Sequence, residues 1–429
     1  MNILQGLMPT IWSGNWAPAI RKRLFKDGES SIEDLCQMMM ESDGEYSSLL
    51  ISDRILTAFE NLDAESLVHF FHVLNEEYDL DAQKVEVLAR EYAREQNAGT
   101  LSALTLASEP RRLELFRRLN LAPGGIRRLV KVREELQKLL EEHPSLKKVD
   151  ADFRHLFSSW FNRGFLTLHP IEWETPAHIL EKIIAYEAVH EIRNWGELRH
   201  RVEPIDRYCY GFFHPAMEDD PLVFVEVALS GSIPETIQEV LQADRPVIDP
   251  GTATCAVFYS ISNCHAGLVG VSFGNFLIKQ VATSLKRRFP NLKTFATISP
   301  APGFRKWLVE ESAAFPAIHG LIDRFENGSA QTVDEMAGRH LKQLAARYFL
   351  VQKNDHGQPL DPVARFHLKN GAKLERLNLL GDRSENGLRQ SLGLMVNYVY
   401  DLQRVEQNHE KYMKDHKVVC STQVRKLQG

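Results

Sequence analysis

Apolar residues recur every three to four positions through the first third of the chain. Ile51, Ile55, Phe59 and Leu62 fall on one helical face, and Leu67, Phe70, Phe71, Leu74 and Tyr78 on another. The stripe continues through Val85, Leu88 and Tyr92. Pro110 opens a segment carrying Leu113, Phe116 and Leu119, and Pro123-Gly124-Gly125 breaks it. Ile126, Leu129, Val132, Leu136 and Leu140 form the next stripe, which His143-Pro144 stops. Ser30-Ser31-Ile32-Glu33 has capping-box spacing ahead of Leu35 and the apolar run Met38–Met40. Several amphipathic helices in a row predict a bundle.

After about Ser158 the period shortens. Phe165–Leu168 reads as a strand, Ala177–Val189 and Asn194–Arg201 as helices. Arg207–Phe213 and Leu222–Leu229 are rich in aromatic and β-branched residues and flank the acidic turn Glu218-Asp219-Asp220, so they predict a hairpin. A short helix is expected over Ile233–Leu241, a buried strand over Ala253–Ser262, a helix over Phe273–Phe289 and a strand over Thr294–Ile298. A helical stretch from Gly303 to about Val351 follows. Strands around Val363–Leu368 and Leu374–Leu379 precede a helical segment from about Leu392. The expected fold is an all-α bundle over residues 1–157 followed by a mixed α/β domain over 158–429. Regular βα alternation is missing, which excludes a doubly wound sheet and a (β/α)8 barrel.

Composition narrows the class. With 44% hydrophobic and 25% charged residues the chain is that of a soluble globular protein with sizeable cores. A formal net charge of −6 gives no reason to expect a nucleic-acid partner. The five cysteines, Cys36, Cys209, Cys255, Cys264 and Cys420, show neither C-x-x-C nor metal spacing and read as reduced thiols. No apolar run reaches the length of a membrane span. The stretch from Met1 to Phe25 lacks a leader pattern, and the chain closes on Leu427-Gln428-Gly429 rather than a peroxisomal tripeptide. Cytoplasmic residence is the expectation. Arg127, Arg128, Lys131 and Arg133 read as a solvated basic face beside Glu134 and Glu135, in preference to an anion site.

The candidate chemistry begins at the turn His265–Gly274. Its glycines, Gly267, Gly270 and Gly274, stand between a buried strand and a helix. Glycines let a diphosphate approach backbone N–H groups, and a helix N-terminus adds partial positive charge. The spacing fits neither G-x-G-x-x-G nor the Walker motif and is closer to the looser R/Q-x-x-G-x-G/A turn of GNAT acyltransferases. A plain strand-to-helix turn is the competing reading. Ser299 ends a strand ahead of Pro300 and Pro302-Gly303, either at a ligand site or as a helix cap. It lacks the G-x-S-x-G elbow. His367, one of 16 histidines, would lie on the strand face opposite Phe366 and Leu368. Tyr398 and Tyr400 present hydroxyls from an apolar segment. No His/Cys/Asp/Glu cluster has metal spacing.

At these residues the chain resembles the malonyl-CoA decarboxylases. The resemblance rests on Arg207–Pro215, Phe258–Ser262, Gly267–Val271, Phe276–Lys279, Ile298–Phe304, Phe366–Gly371 and Gly393–Tyr398, in the family's order from about His155 to Tyr400. It implies a helical N-terminal domain, used for oligomerisation, joined to a GNAT-like acyl-CoA-binding domain. It implies conversion of malonyl-CoA to acetyl-CoA and CO2 with no metal or organic cofactor, in a homo-oligomer, a tetramer before a dimer. By the same resemblance Ser299 and His367 are the catalytic pair and Tyr400 a further site residue. The substrate-binding turn maps onto Val269, Gly270, Val271, Ser272, Phe273, Gly274 and Asn275. Relatives can carry glutamine and glutamate where this chain has Val269 and Ser272, which puts side-chain contacts there in doubt. A GNAT-type acyltransferase and a non-catalytic acyl-CoA sensor are the alternatives.

Overall fold

The computed structural model describes residues 30–42, 44–217, 219–271, 277–311, 322 and 335–428. Contacts divide the chain into two compact units, Met1–Trp160 with Ala266–Val271, and Phe161–His265 with Ser272–Gly429. Among the described residues no helix is long and apolar enough to cross a membrane. A helical first part followed by a mixed sheet with helices is the architecture expected.

The first unit holds α1 (Ile32–Glu41), α2 (Glu45–Phe59), α3 (Ala64–Glu76), α4 (Ala82–Glu95), α5 (Ala98–Ala107), α6 (Arg111–Leu119), α7 (Gly125–Leu139) and α8 (Lys147–Trp160). The capping box that starts α1 is one residue later than its spacing suggested. Ser31 accepts the Asp34 N–H, and the Asp34 carboxylate accepts the Ser31 N–H, each at 3.2 Å. Phe59, Phe70 and Phe71 pack edge to face or tilted, with centroids 5.7–6.0 Å apart, and Phe116 stacks on Phe153 at 4.0 Å. The stripe Val85, Leu88, Tyr92 does not join this core, because α4 and α5 bury no residue fully.

The basic face of α7 is not simply solvated. Arg133 is 1% exposed, donating to Asp150 Oδ1 at 2.8 Å and to the Gly267 carbonyl at 2.7 Å. Arg128 pairs with Asp53 and Glu60 of α2 and the turn after it. Helical spacing located these arginines correctly but could not show that Arg133 falls on the same buried side as Leu129 and Leu136.

The second unit is built on one sheet of β1 (Thr167–Ile171), β2 (Arg207–Phe213), β3 (Val223–Ser230), β4 (Cys255–Asn263), β5 (Thr294–Thr297), β6 (Ser299–Pro300), β7 (Lys373–Asn378) and β8 (Met395–Val399). Strands β1 to β5 lie in sequence order. β8 pairs with β5 and β6 on one side and with β7 on the other. Only β4 and β5 among these strands run parallel, over Cys255–Phe258 and Thr294–Thr297. The hairpin of β2 and β3 is antiparallel with Arg207 opposite Ala228. The connecting helices are α9 (Ala177–Tyr186), α10 (Trp195–Val202), α11 (Gln238–Leu241), α12 (Leu277–Arg288), α13 (Phe304–Glu311), α14 (Glu335–Leu350), α15 (Pro362–Lys369), α16 (Glu385–Ser391), α17 (Val405–Asp415) and α18 (Thr422–Arg425).

Three expectations are corrected. The segment around His367 is helix α15, not a strand: Asp361 caps it by accepting the Ala364 N–H at 2.8 Å, and Pro362 sits at its first turn. Aspartate followed by proline is a helix-start signal that outweighs a short alternation. The segment from Leu392 contains β8, whose residues from Met395 to Tyr398 are all buried because it is paired on both edges, so no amphipathic period shows. The helix over Ile233–Leu241 shrinks to α11, behind Pro234.

Candidate active site

Alternation along β5 and β6 sorts side chains onto two faces. Ala296 and Ile298 enter a core cluster with Val257, Tyr259 and Met395. Thr297 and Ser299 therefore share the opposite face. Ser299 Oγ donates to Thr297 Oγ1 at 2.9 Å, and Thr297 Oγ1 also accepts the Tyr398 N–H at 3.2 Å. Asn397 of β8 locks the same corner by donating to the Thr297 carbonyl at 2.8 Å.

His367 comes from the last turn of α15. Its Nε2 lies 3.0 Å from Ser299 Oγ and its Nδ1 2.8 Å from the Tyr400 hydroxyl. The ring stacks on Tyr398, centroids 4.5 Å apart at 25°. The three residues put forward as catalytic thus meet in one hydrogen-bonded row from β6, α15 and the end of β8. With Ser299 donating to Thr297, the consistent assignment has His367 Nε2–H donating to Ser299 and Nδ1 accepting from Tyr400. Ser299, His367 and Tyr400 are 6%, 3% and 2% exposed. Burial pushes the His367 imidazole down to about 3 and the Tyr400 phenol well above its ordinary value. Both are neutral at physiological pH in the free protein.

Behind this row, Asp361 at the start of α15 accepts from the Tyr348 hydroxyl at 3.3 Å, and burial pushes its carboxyl up to about 6. Thr297 was missed as a site residue in the sequence, and Tyr398 was named there for its hydroxyl, not for its ring. The signal for Thr297 was its place two residues before Ser299 on one strand. For Tyr398, only the partner helix shows that its ring carries the imidazole.

The glycine turn is described only through Val271; Ser272, Phe273, Gly274 and Asn275 lie outside the described residues. Gly270 has φ +79°, a conformation that a side chain would strain, and Val269 is 54% exposed. Val269 N–H and Val271 N–H close the turn onto Ala266 O and Leu268 O at 2.9 and 3.0 Å. Those two amides are occupied. Gly267 has no room for a side chain, since a Cβ would fall 2.0 Å from the Val130 carbonyl.

The malonyl-CoA decarboxylase C-terminal domain matches residues 164–428, and the malonyl-CoA decarboxylase N-terminal domain matches residues 78–161. The chain belongs to the malonyl-CoA decarboxylase family. It is 35% identical over 371 residues to the mitochondrial malonyl-CoA decarboxylase of Anser anser anser, covering 78% of this chain and 73% of the relative. Two solved structures are similar. Malonyl-CoA decarboxylase from Rhodopseudomonas palustris superposes with a TM-score of 0.86 at 45% identity, covering 93% of this chain and 100% of that one. The enzyme from Agrobacterium vitis gives 0.82 at 48% identity, covering 93% and 99%.

Proposed function

We propose that this protein is a carboxy-lyase that converts malonyl-CoA to acetyl-CoA and CO2. The observation that carries the reading, within this family, is the buried row Tyr400–His367–Ser299. In the reaction the bond between the α-carbon and the carboxylate breaks and CO2 leaves. The electron pair passes into the thioester carbonyl as an enolate, and the α-carbon then takes one proton. The protein must hold the carboxylate perpendicular to the thioester plane, stabilise the oxyanion and deliver that proton.

The geometry supports a division of labour. Ser299 Oγ is the outermost hydroxyl of the row and meets the substrate. Its proton passes to the α-carbon while the Nε2–H of a His367 imidazolium, charged by a proton from solvent, reprotonates it and Tyr400 holds Nδ1. A resting imidazole near pKa 3 does not hold the extra proton, but a substrate carboxylate beside it favours the imidazolium. The desolvated site is ready to protonate only when substrate is present.

Purified protein incubated with malonyl-CoA alone should release CO2 and form acetyl-CoA in equal amounts. Dialysis against a strong chelator should not change the rate, since among the described residues no group of three or more His, Cys, Asp or Glu could hold a metal ion. Turnover only with an added amine acceptor would point to acyl transfer, and tight binding without turnover to a sensor. Activity lost to chelator and restored by one divalent ion would overturn the metal-free reading.

The turn Val269–Asn275 is proposed to take the coenzyme A diphosphate through backbone amides. Gly270→Val, which forces a side chain onto φ +79°, should raise KM for malonyl-CoA more than kcat falls. An unchanged KM in the folded variant removes the turn from the substrate site.

A further inference from the structure

The sheet face opposite Thr297 and Ser299 carries a cavity of about 830 Å3, framed by α10, α11 and α16 with the loops around them. Its wall includes Tyr259, which opposes no residue of β3 because the register shifts there, Phe258 pairing with Val227 and Ser260 with Glu226. A bulge of this kind re-aims a side chain. Tyr259 is 2% exposed, yet its hydroxyl has no hydrogen-bond partner among the described residues. The same holds for His190 Nε2, in a residue 9% exposed, and for Gln238 Oε1. Buried polar groups are almost always paired, and three facing one cavity point to something that pairs them.

The charge beside them favours an anion. Arg207 is 5% exposed and donates to the Val240 and Asp206 carbonyls. Its nearest carboxylate is Asp206, 3.7 Å away. That carboxylate already accepts from Arg245 at 2.6 and 2.8 Å and from the Ile248 N–H at 3.0 Å. Two guanidinium groups share one carboxylate. Arg201, next along the wall, is matched by Glu226 at 2.9 Å. The excess charge therefore sits at Arg207 and Arg245. Four carboxylates also line the cavity, Glu191, Glu197, Asp382 and Glu385, against the five guanidinium groups of Arg193, Arg201, Arg207, Arg245 and Arg389; Glu197 pairs with Arg193, and Asp382 accepts from Gln238 and the Ser384 N–H. Burial pushes the His190 imidazole down to about 4, so the ring is neutral and Nε2 is an acceptor when Nδ1 carries the proton.

We propose that this cavity binds a small oxyanion that also bears a hydroxyl, with Arg207 and Tyr259 donating to the oxyanion and His190 and Gln238 accepting from the hydroxyl. Monohydrogen phosphate and a 2-hydroxycarboxylate both have this chemistry. Sulfate and acetate have the charge without the hydroxyl.

Calorimetric titration of the full chain with inorganic phosphate and with lactate tests the site, with sulfate and acetate as matched arms. Saturable binding of phosphate or of lactate, tighter than its hydroxyl-free counterpart, is expected, and the arm that saturates identifies the source. Tyr259→Phe removes one unpartnered oxygen and should not harm folding. It should weaken that binding roughly tenfold to a hundredfold, the size of one hydrogen bond to a charged group. Malonyl-CoA turnover in Tyr259→Phe should match the wild type. Ser299→Ala should bind the anion normally, which separates this site from the proposed reaction. No saturation in the millimolar range means that the cavity holds only water and sinks the proposal. So do equal binding of sulfate or acetate, unchanged affinity in Tyr259→Phe, or displacement of the anion by acetyl-CoA.

Discussion

Ser299→Ala and His367→Asn should each lower the turnover number for malonyl-CoA by roughly 10²–10⁴-fold, the scale of a positioned proton donor. Each removes one link of a row whose heavy atoms stand 2.8–3.0 Å apart. KM should change little, because neither side chain is assigned to the diphosphate. The double variant should lose less than the product of the two single losses, since both residues serve one proton path. Stability adds a second readout for His367. Its folded pKa of about 3 lies below the ordinary 6.5, so between those values only the unfolded chain takes the proton. Stability should fall as pH drops through that window, and His367→Asn should flatten the slope. A folded His367→Asn protein that releases CO2 near the wild-type rate would remove His367 as donor and make Tyr400→Phe the next variant to measure.

Arg133→Met should cost about 3–5 kcal/mol of unfolding free energy, the usual penalty for breaking a buried ion pair from one side. The loss leaves the Asp150 carboxylate without its guanidinium and the Gly267 carbonyl without its donor. Arg133→Lys should recover only part of it, because a single ammonium does not reproduce the guanidinium fork. Urea unfolding followed by circular dichroism measures both. A Met variant whose midpoint matches the wild type would show that the pair is dispensable.

Much of this molecule was legible in the chain. The stripes of α2, α3, α6 and α7, the hairpin of β2 and β3 and the strands β4 and β5 with a helix between them all follow from local periodicity and turn chemistry, whereas the parallel pairing of β4 with β5 does not. The residues that pair across distance were harder to see. Ser299 and His367 are linked through the order of their motifs, not through any spacing, since 68 positions separate them. Their contact depends on β8 lying beside both β5 and β6. Local pattern misled where burial is complete on both sides, as in β8, and where a helix is only eight residues long, as in α15. Neither Thr297 nor Arg133 has a local pattern that shows its role, which comes from the partners each meets in the fold: Ser299 and Tyr398 for the one, Asp150 and Gly267 for the other.

The pairing of β5 and β6 with β8 has a consequence for preparations of this protein. Ser299 opposes Val396, and Ala296 opposes Val399. A slip of one residue would turn Ile298 toward the imidazole and bury Ser299 on the far side. Such a chain would keep its helices and its sheet, and spectroscopy of secondary structure would pass it as sound. Catalysis reads the difference, and so does the melting temperature, because Ala296 and Ile298 would leave their core cluster. Specific activity per folded molecule is therefore a gauge of strand alignment.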